Sequence, residues 1–305
     1  MIRRELPVDG PFDLRGTLSP LVRGNGDRTI RVASGDAWWG TRTARGTATL
    51  HLSVGQGALT AEAWGEGAEL ALERAGRLVG LEPGRQAAAA LTSVDHGRIA
   101  ALARRHPGVR TVRTESVFDA LVAAIVEQKV TGAEAHRVWH GLVRTYGEPA
   151  PGPGADVGLR LFPAPATLAA LPYYAFHPLG LEKRRAELIR AVAARAAWFE
   201  AIVDLPLPDA YARLLAVPGI GPWTAAEVAV RALGDDDAVS VGDFHLPHVV
   251  AWALAGEPRG SDARMLELLE PYRGRRALVV RLLELGGAGP PRRGPRLAPR
   301  RIESI

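Results

Sequence analysis

Between Leu214 and Leu233 the chain reads LLAVPGIGPWTAAEVAVRAL, and this stretch constrains the fold more than any other. An apolar helical run meets Pro218-Gly219-Ile220-Gly221, and a second helix restarts at Pro222. Proline is favoured in the first turn of a helix, where its missing N–H has no partner to lose. The two glycines permit a left-handed backbone and the close approach of another chain. The pattern predicts a tight helical hairpin whose second helix turns main-chain N–H groups outward at its positive dipole end. Gly219, Gly221 and Thr224 are therefore candidates to hold a backbone phosphate, a contact that positions a nucleic acid without reading its sequence. Taken alone, PGIG also fits a plain αα-hairpin with glycines for packing.

A single acid follows in AVSVGDFHLPHVV. Asp243 comes 20 residues after Trp223, and the intervening helix and loop are expected to return it over the start of the second hairpin helix. Asp is also a good helix cap, and LPHVVAWAL behind it is helical in pattern, so Asp243 can cap that helix and still face a site.

The first 80 residues are strand-like. RTIRVAS, GTATLHLSV and ALTAEAWG alternate apolar and polar residues, with Gly-rich turns between them, and GAELALERAGRLVGL has helical spacing. From about residue 95 Ala, Leu, Val and Arg dominate and helical periodicity takes over. The expected fold class is α+β: an antiparallel sheet with a covering helix in residues 1–95, then an all-α domain in 96–286, divided into two helical subdomains with a cleft between. A disordered basic tail is expected over 287–305.

The net charge of +5 carries little functional weight, because the last 19 residues hold five Arg and one Glu. The absence of Cys excludes disulfides, thiolate zinc sites, Cys-ligated iron–sulfur clusters and a Cys nucleophile. No apolar run approaches a membrane span and no secretory leader opens the chain, so a cytoplasmic protein is expected.

The PGIG hairpin, the Trp-Thr-Ala after it and the isolated Asp together resemble the helix-hairpin-helix DNA glycosylase superfamily. VFDALVAAIVEQKVT and LFPAPATLAALPYYAFHPLGLEKRRAELIRAVA are similar to stretches of its bacterial alkylbase subfamily, the inducible 3-methyladenine DNA glycosylases. The resemblance implies base flipping into a pocket and hydrolysis of the N-glycosidic bond of an alkylated purine. Asp243 would be the catalytic carboxylate, stabilising the positive charge that develops on the sugar. Bifunctional relatives carry a Lys where this chain has Trp223, which implies a monofunctional enzyme that leaves an abasic site. Trp223 and Phe244 match aromatic pocket positions; Glu227 falls where the subfamily has a pocket Tyr, and its position also suits a solvent-facing residue. Gln128 and Lys129 are expected to contact DNA, although Lys129 replaces an apolar wedge. The hairpin carbonyls of Leu215, Val217 and Ile220 match a site for a weak monovalent cation; no other cofactor is implied.

Several features carry weaker expectations. Asp243, His245 and His248 are too few and too close for a catalytic metal. Asp235-Asp236-Asp237 reads as a solvated loop. Tyr173, Tyr174 and His177 precede Leu179-Gly180, which resembles a second, degenerate hairpin. The implied partner is duplex DNA containing damaged bases, with the protein monomeric and associated with the nucleoid. Two alternatives stand: a glycosylase for a deaminated or oxidised base, and a non-catalytic DNA-binding protein that keeps the hairpin.

Overall fold

The structure, a computed structural model, describes residues 1–94, 96–287, 289, 290 and 302. The tail expected from residue 287 onward lies almost wholly outside them. Strands β1 (Ile2–Pro7), β2 (Ile30–Ala33), β3 (Asp36–Thr43), β4 (Gly46–Val54) and β5 (Ala58–Trp64) form one antiparallel sheet in the order β1-β5-β4-β3-β2. Period-two alternation sends Leu50, Leu52, Leu59, Ala61 and Ala63 to one face. Helices α1 (Leu14–Leu18) and α2 (Ala68–Leu78) cover that face with Leu14, Leu18, Leu72, Ala75 and Leu78. The opposite face is covered too: Trp38 packs on Ala150, Leu159 and Leu161, and the Thr49 hydroxyl donates to the Pro151 carbonyl at 2.6 Å.

The helices build two cores. Helix α3 (Gly97–Arg105) is followed by the largely apolar α4 (Val117–Glu127) and by α5 (Gly132–Tyr146), which starts in a capping box between Thr131 and Glu134. Helix α4 carries two acids, Asp119 and Glu127, in an otherwise apolar run. Then come α6 (Pro153–Asp156), α7 (Pro165–Ala170), α8 (Lys183–Ala194), α9 (Ala196–Glu200), α10 (Leu207–Leu215) and α11 (Pro222–Val228). Apolar residues of α4, α5, α8, α10 and α11 share the larger core around Leu121, Ile125, Ile189, Leu214 and Val228. Helices α12 (Leu246–Ala255), α13 (Asp262–Leu269) and α14 (Arg276–Leu285) pack with α3 and the turn Ala88–Leu91 in the other. Ile99 and Ala103 there meet Val250, Met265, Leu278 and Leu282, so residues on both sides of position 95 belong to one core.

The triple Asp run is not a solvated loop. Asp235 is 8 % exposed and accepts the Tyr211 hydroxyl at 2.8 Å. Asp236 pairs with Arg85 at 2.8 Å and Asp237 with Arg276 at 2.7 Å. Burial raises the Asp236 carboxyl above its usual range; at Asp237 burial also works upward, but the Arg276 bonds outweigh it and the group sits below. The run ties the start of α14 to the end of the larger core. A half-buried acid, Asp119 of α4, faces a small cavity of about 50 Å³ with Arg23 and Trp139. Burial pushes Asp119 up to about 7, with Glu200 adding to the effect and Arg42 opposing it.

Candidate functional site: a cavity behind the hairpin

Helix α10 ends at Leu215, the chain turns through Pro218–Gly221, and α11 begins at Pro222 before continuing as a π turn, Ala229–Leu233. Gly219 takes φ +96°, a conformation that side-chain-bearing residues rarely adopt. A Cβ there would lie 2.9 Å from Leu188 Cδ2 of α8, so Gly219 is needed for both backbone and packing. Gly221 differs: it is extended, and a Cβ built on it meets nothing within 4 Å. Buried Ile220 anchors the turn, and its N–H donates to the Val217 carbonyl at 3.0 Å. One of the three carbonyls expected to hold a cation is thus already engaged, and its second lone pair keeps it compatible with a weakly held ion.

Gln128 stands just past the end of α4. Its Nε2 donates to the Gly219 carbonyl and to Thr224 Oγ1, both at 3.0 Å. Thr224 is only 2 % exposed, so its hydroxyl braces the hairpin from inside. Gln128 Nε2 is likewise engaged with the hairpin. Beyond it, exposed Lys129 adopts φ +54°. A non-Gly residue in this region costs about 1 kcal/mol or more and persists only where its surroundings impose it.

Behind the hairpin lies a cavity of about 300 Å³. The larger core lends it Glu227, Val230 and Arg231; the other helical core lends Leu246, Val249, Ala277 and Val280; Thr17 and Pro20 come from the N-terminal layer. Asp243 lines it from the loop between them. Asp243 Oδ1 accepts the main-chain N–H groups of His245 and Leu246 at 2.7 and 2.8 Å, so the acid caps α12. Asp243 Oδ2 accepts the Trp223 indole N–H at 3.0 Å. Four hydrogen-bonding sites serve an ionised carboxylate, and the three donors leave one lone pair open.

Glu227 does not face solvent. Its Oε2 pairs with Arg231 Nη1 and its Oε1 accepts the Ser240 hydroxyl. Burial works against the Arg231 charge, but Glu227 and Glu127 outweigh it and raise its pKa above the usual Arg value. Trp223 is absent from the cavity wall; its role in the geometry is to hold Asp243. Phe244 is 74 % exposed and packs edge-on against His245 and His248, outside the cavity. His248 Nδ1 accepts the Gly260 N–H at 3.1 Å, and no group of three metal-ligating side chains gathers among the described residues.

Sequence reasoning passed over Arg231, Ser240, Arg110, Arg281 and Thr17 as cavity residues. Arg231 was within reach, since it stands one helical turn after Glu227. The others come from distant segments and leave no local signal. His245 is the one aromatic ring in the described wall.

Residues 122–273 match the helix-hairpin-helix–GPD superfamily, described as base excision DNA repair proteins. The chain is 34 % identical over 149 residues to a probable bifunctional transcriptional activator/DNA repair enzyme AlkA of Mycobacterium tuberculosis; the match takes in 48 % of this chain but 29 % of that protein. It is 28 % identical over 234 residues to DNA-3-methyladenine glycosylase 2 of Escherichia coli, covering 75 % of this chain and 74 % of that one. The fold superposes on a 3-methyladenine DNA glycosylase from Archaeoglobus fulgidus with a TM-score of 0.77 at 19 % identity, covering 92 % of this chain and 97 % of that one. No described helix is long and apolar enough to cross a membrane. With its hairpin, its acid and these relatives, the chain belongs to the helix-hairpin-helix superfamily of base excision DNA repair proteins, in the alkylbase glycosylase branch.

Proposed function

We propose that this protein is a monofunctional DNA glycosylase that excises alkylated purines of the 3-methyladenine type and leaves an abasic site. The observation that carries the reading is Asp243, a carboxylate held by three donors at the wall of a cavity large enough for a purine. A base inside a duplex is out of reach, so the nucleotide must be extruded into the cavity. As the N-glycosidic bond lengthens, the sugar gains oxocarbenium character. A fixed carboxylate near that carbon stabilises the charge without having to reorganise. The same group can orient the attacking water.

Trp223 supports hydrolysis rather than strand cleavage. Its indole nitrogen has no lone pair for a Schiff base, so the amine route of bifunctional relatives is closed at that position. The partner is duplex DNA, held by the main-chain N–H groups of Gly219, Gly221 and Thr224, with Lys129 as a further contact beside the lesion. The protein would act as a monomer in the cytoplasm, on the nucleoid, and would need no cofactor beyond a weak cation on the hairpin carbonyls.

A second reading is favoured by the wall itself. Cationic alkylated bases gain most from aromatic faces, and here the described wall offers Glu227, Arg110, Arg281 and Ser240 instead. Such a wall suits a neutral deaminated or oxidised purine recognised along a polar edge. The test uses duplexes with single defined lesions and hot alkali to reveal abasic sites. Release of 3-methyladenine that is lost in Asp243→Asn supports the first reading. Release of only deaminated or oxidised bases supports the second. Nicking without alkali refutes monofunctional action.

A further inference from the structure

The hairpin carries no positive side chain: from Leu214 to Val230 there is no Lys, Arg or His. Its flanking cations are committed elsewhere. Arg213 lies 5.0 Å over the Trp198 ring, and Arg231 is paired with Glu227. DNA affinity rests largely on cations that displace counterions from phosphates, so a neighbouring element has to supply the charge.

Helix α8 is that neighbour. Its Arg185 Nη1 donates to the Val126 carbonyl of α4 at 2.7 Å, and its Leu188 packs under Gly219. It therefore touches both the hairpin and the helix that leads to Lys129. Arg184 stands four residues before Leu188, on the same face and one turn nearer the start of α8. Arg184 is exposed and pairs with no carboxylate among the described residues. Next to it Lys183, also exposed, sits 3.7 Å from Glu187 and 4.9 Å over the Tyr173 ring. Tyr173 and Tyr174 meet edge to face at 5.8 Å and are 39 % and 65 % exposed. Open aromatic faces beside exposed cations are the ingredients of a nucleic-acid strand contact.

We propose that Arg184 and Lys183, with Tyr174 beside them, form a second DNA contact next to the hairpin. The two cations take a backbone phosphate beyond the one held by the hairpin N–H groups, and Tyr174 offers its ring face to a nucleotide. This rests on the reading of the protein as a DNA glycosylase.

The experiment measures binding of the full chain to a duplex with a stable abasic analogue, by fluorescence anisotropy, over about 50 to 200 mM salt. Arg184→Ala is expected to lower the slope of log Kd against log salt by about one, while Arg184→Lys keeps it. Tyr174→Ala is expected to weaken binding about tenfold with the slope unchanged. Arg98→Ala, on exposed α3 in the other core, serves as the control for net charge. The proposal is overturned if Arg184→Ala keeps the wild-type slope, or if Arg98→Ala lowers it equally. Wild-type protein that fails to bind the duplex at all would instead sink the glycosylase reading on which the proposal stands.

Discussion

The indole N–H of Trp223 donates to Asp243 Oδ2 at 3.0 Å, joining the first turn of the second hairpin helix to the acid 20 residues later. The hairpin and the cavity are therefore one mechanical unit. Trp223→Phe keeps a ring but loses the donor, and a single-turnover excision rate about tenfold lower is expected, with duplex affinity preserved. Asp243→Asn, which keeps shape and capping ability, should cost far more, on the order of 10²–10³ in rate, as removal of one fixed electrostatic group does elsewhere. Equal losses in the two variants would mean that Trp223 does more than orient the acid.

The two hairpin glycines separate folding from binding. Gly219→Ala places a Cβ at positive φ and 2.9 Å from Leu188, so a loss of about 2 kcal/mol in urea unfolding is expected. Gly221→Ala has room for its methyl group and should leave stability within about 0.5 kcal/mol of wild type. That methyl stands where a phosphate must approach, so affinity for duplex DNA should still fall. A Gly221→Ala protein that binds as tightly as wild type would remove this glycine from the interface.

Glu227 and Arg231 form a partly buried pair at the cavity wall. Removing only the acid strands the guanidinium, and Glu227→Ala is expected to destabilise by about 3 kcal/mol. Adding Arg231→Met should recover much of that loss. A double-mutant cycle by chemical denaturation checks the coupling, and strictly additive effects would contradict it.

Asp119 links stability to pH. Its folded pKa, about 7, lies above the ordinary value of 3.8, so between these limits the native state binds the extra proton. The contribution of this group is fully present below pH 4, declines as pH rises and is gone above about pH 7. Asp119→Asn keeps a neutral group there and should stabilise by on the order of 2–4 kcal/mol at pH 8 and little at pH 4. Unfolding free energies that differ equally at the two pH values would rule out titration of Asp119 as the cause.

Much of this was legible in the residues themselves. The PGIG turn, the Asp behind it and the alternation in β4 and β5 are local signals, and each element appears where its pattern predicts. Strand β1 was silent because it is an edge strand with both faces largely open, so IRRELP shows no apolar alternation. The triple Asp run misled because charge was visible and the partners were not; Arg85 lies about 150 residues away. Phe244 left its expected place in the pocket for a related reason, whereas Glu227 does line the cavity. Side-chain direction along a loop is set by tertiary packing, which residue type does not encode.

The core that carries α12 to α14 also contains α3, which lies about 140 residues earlier in the chain. During synthesis, Ile99 and Ala103 emerge long before Val250, Leu278 and Leu282 exist to cover them. That core closes last, and α12, which Asp243 caps, closes with it. A truncated or half-made product can therefore carry a finished hairpin while Asp243 still lacks its two donors at the start of α12.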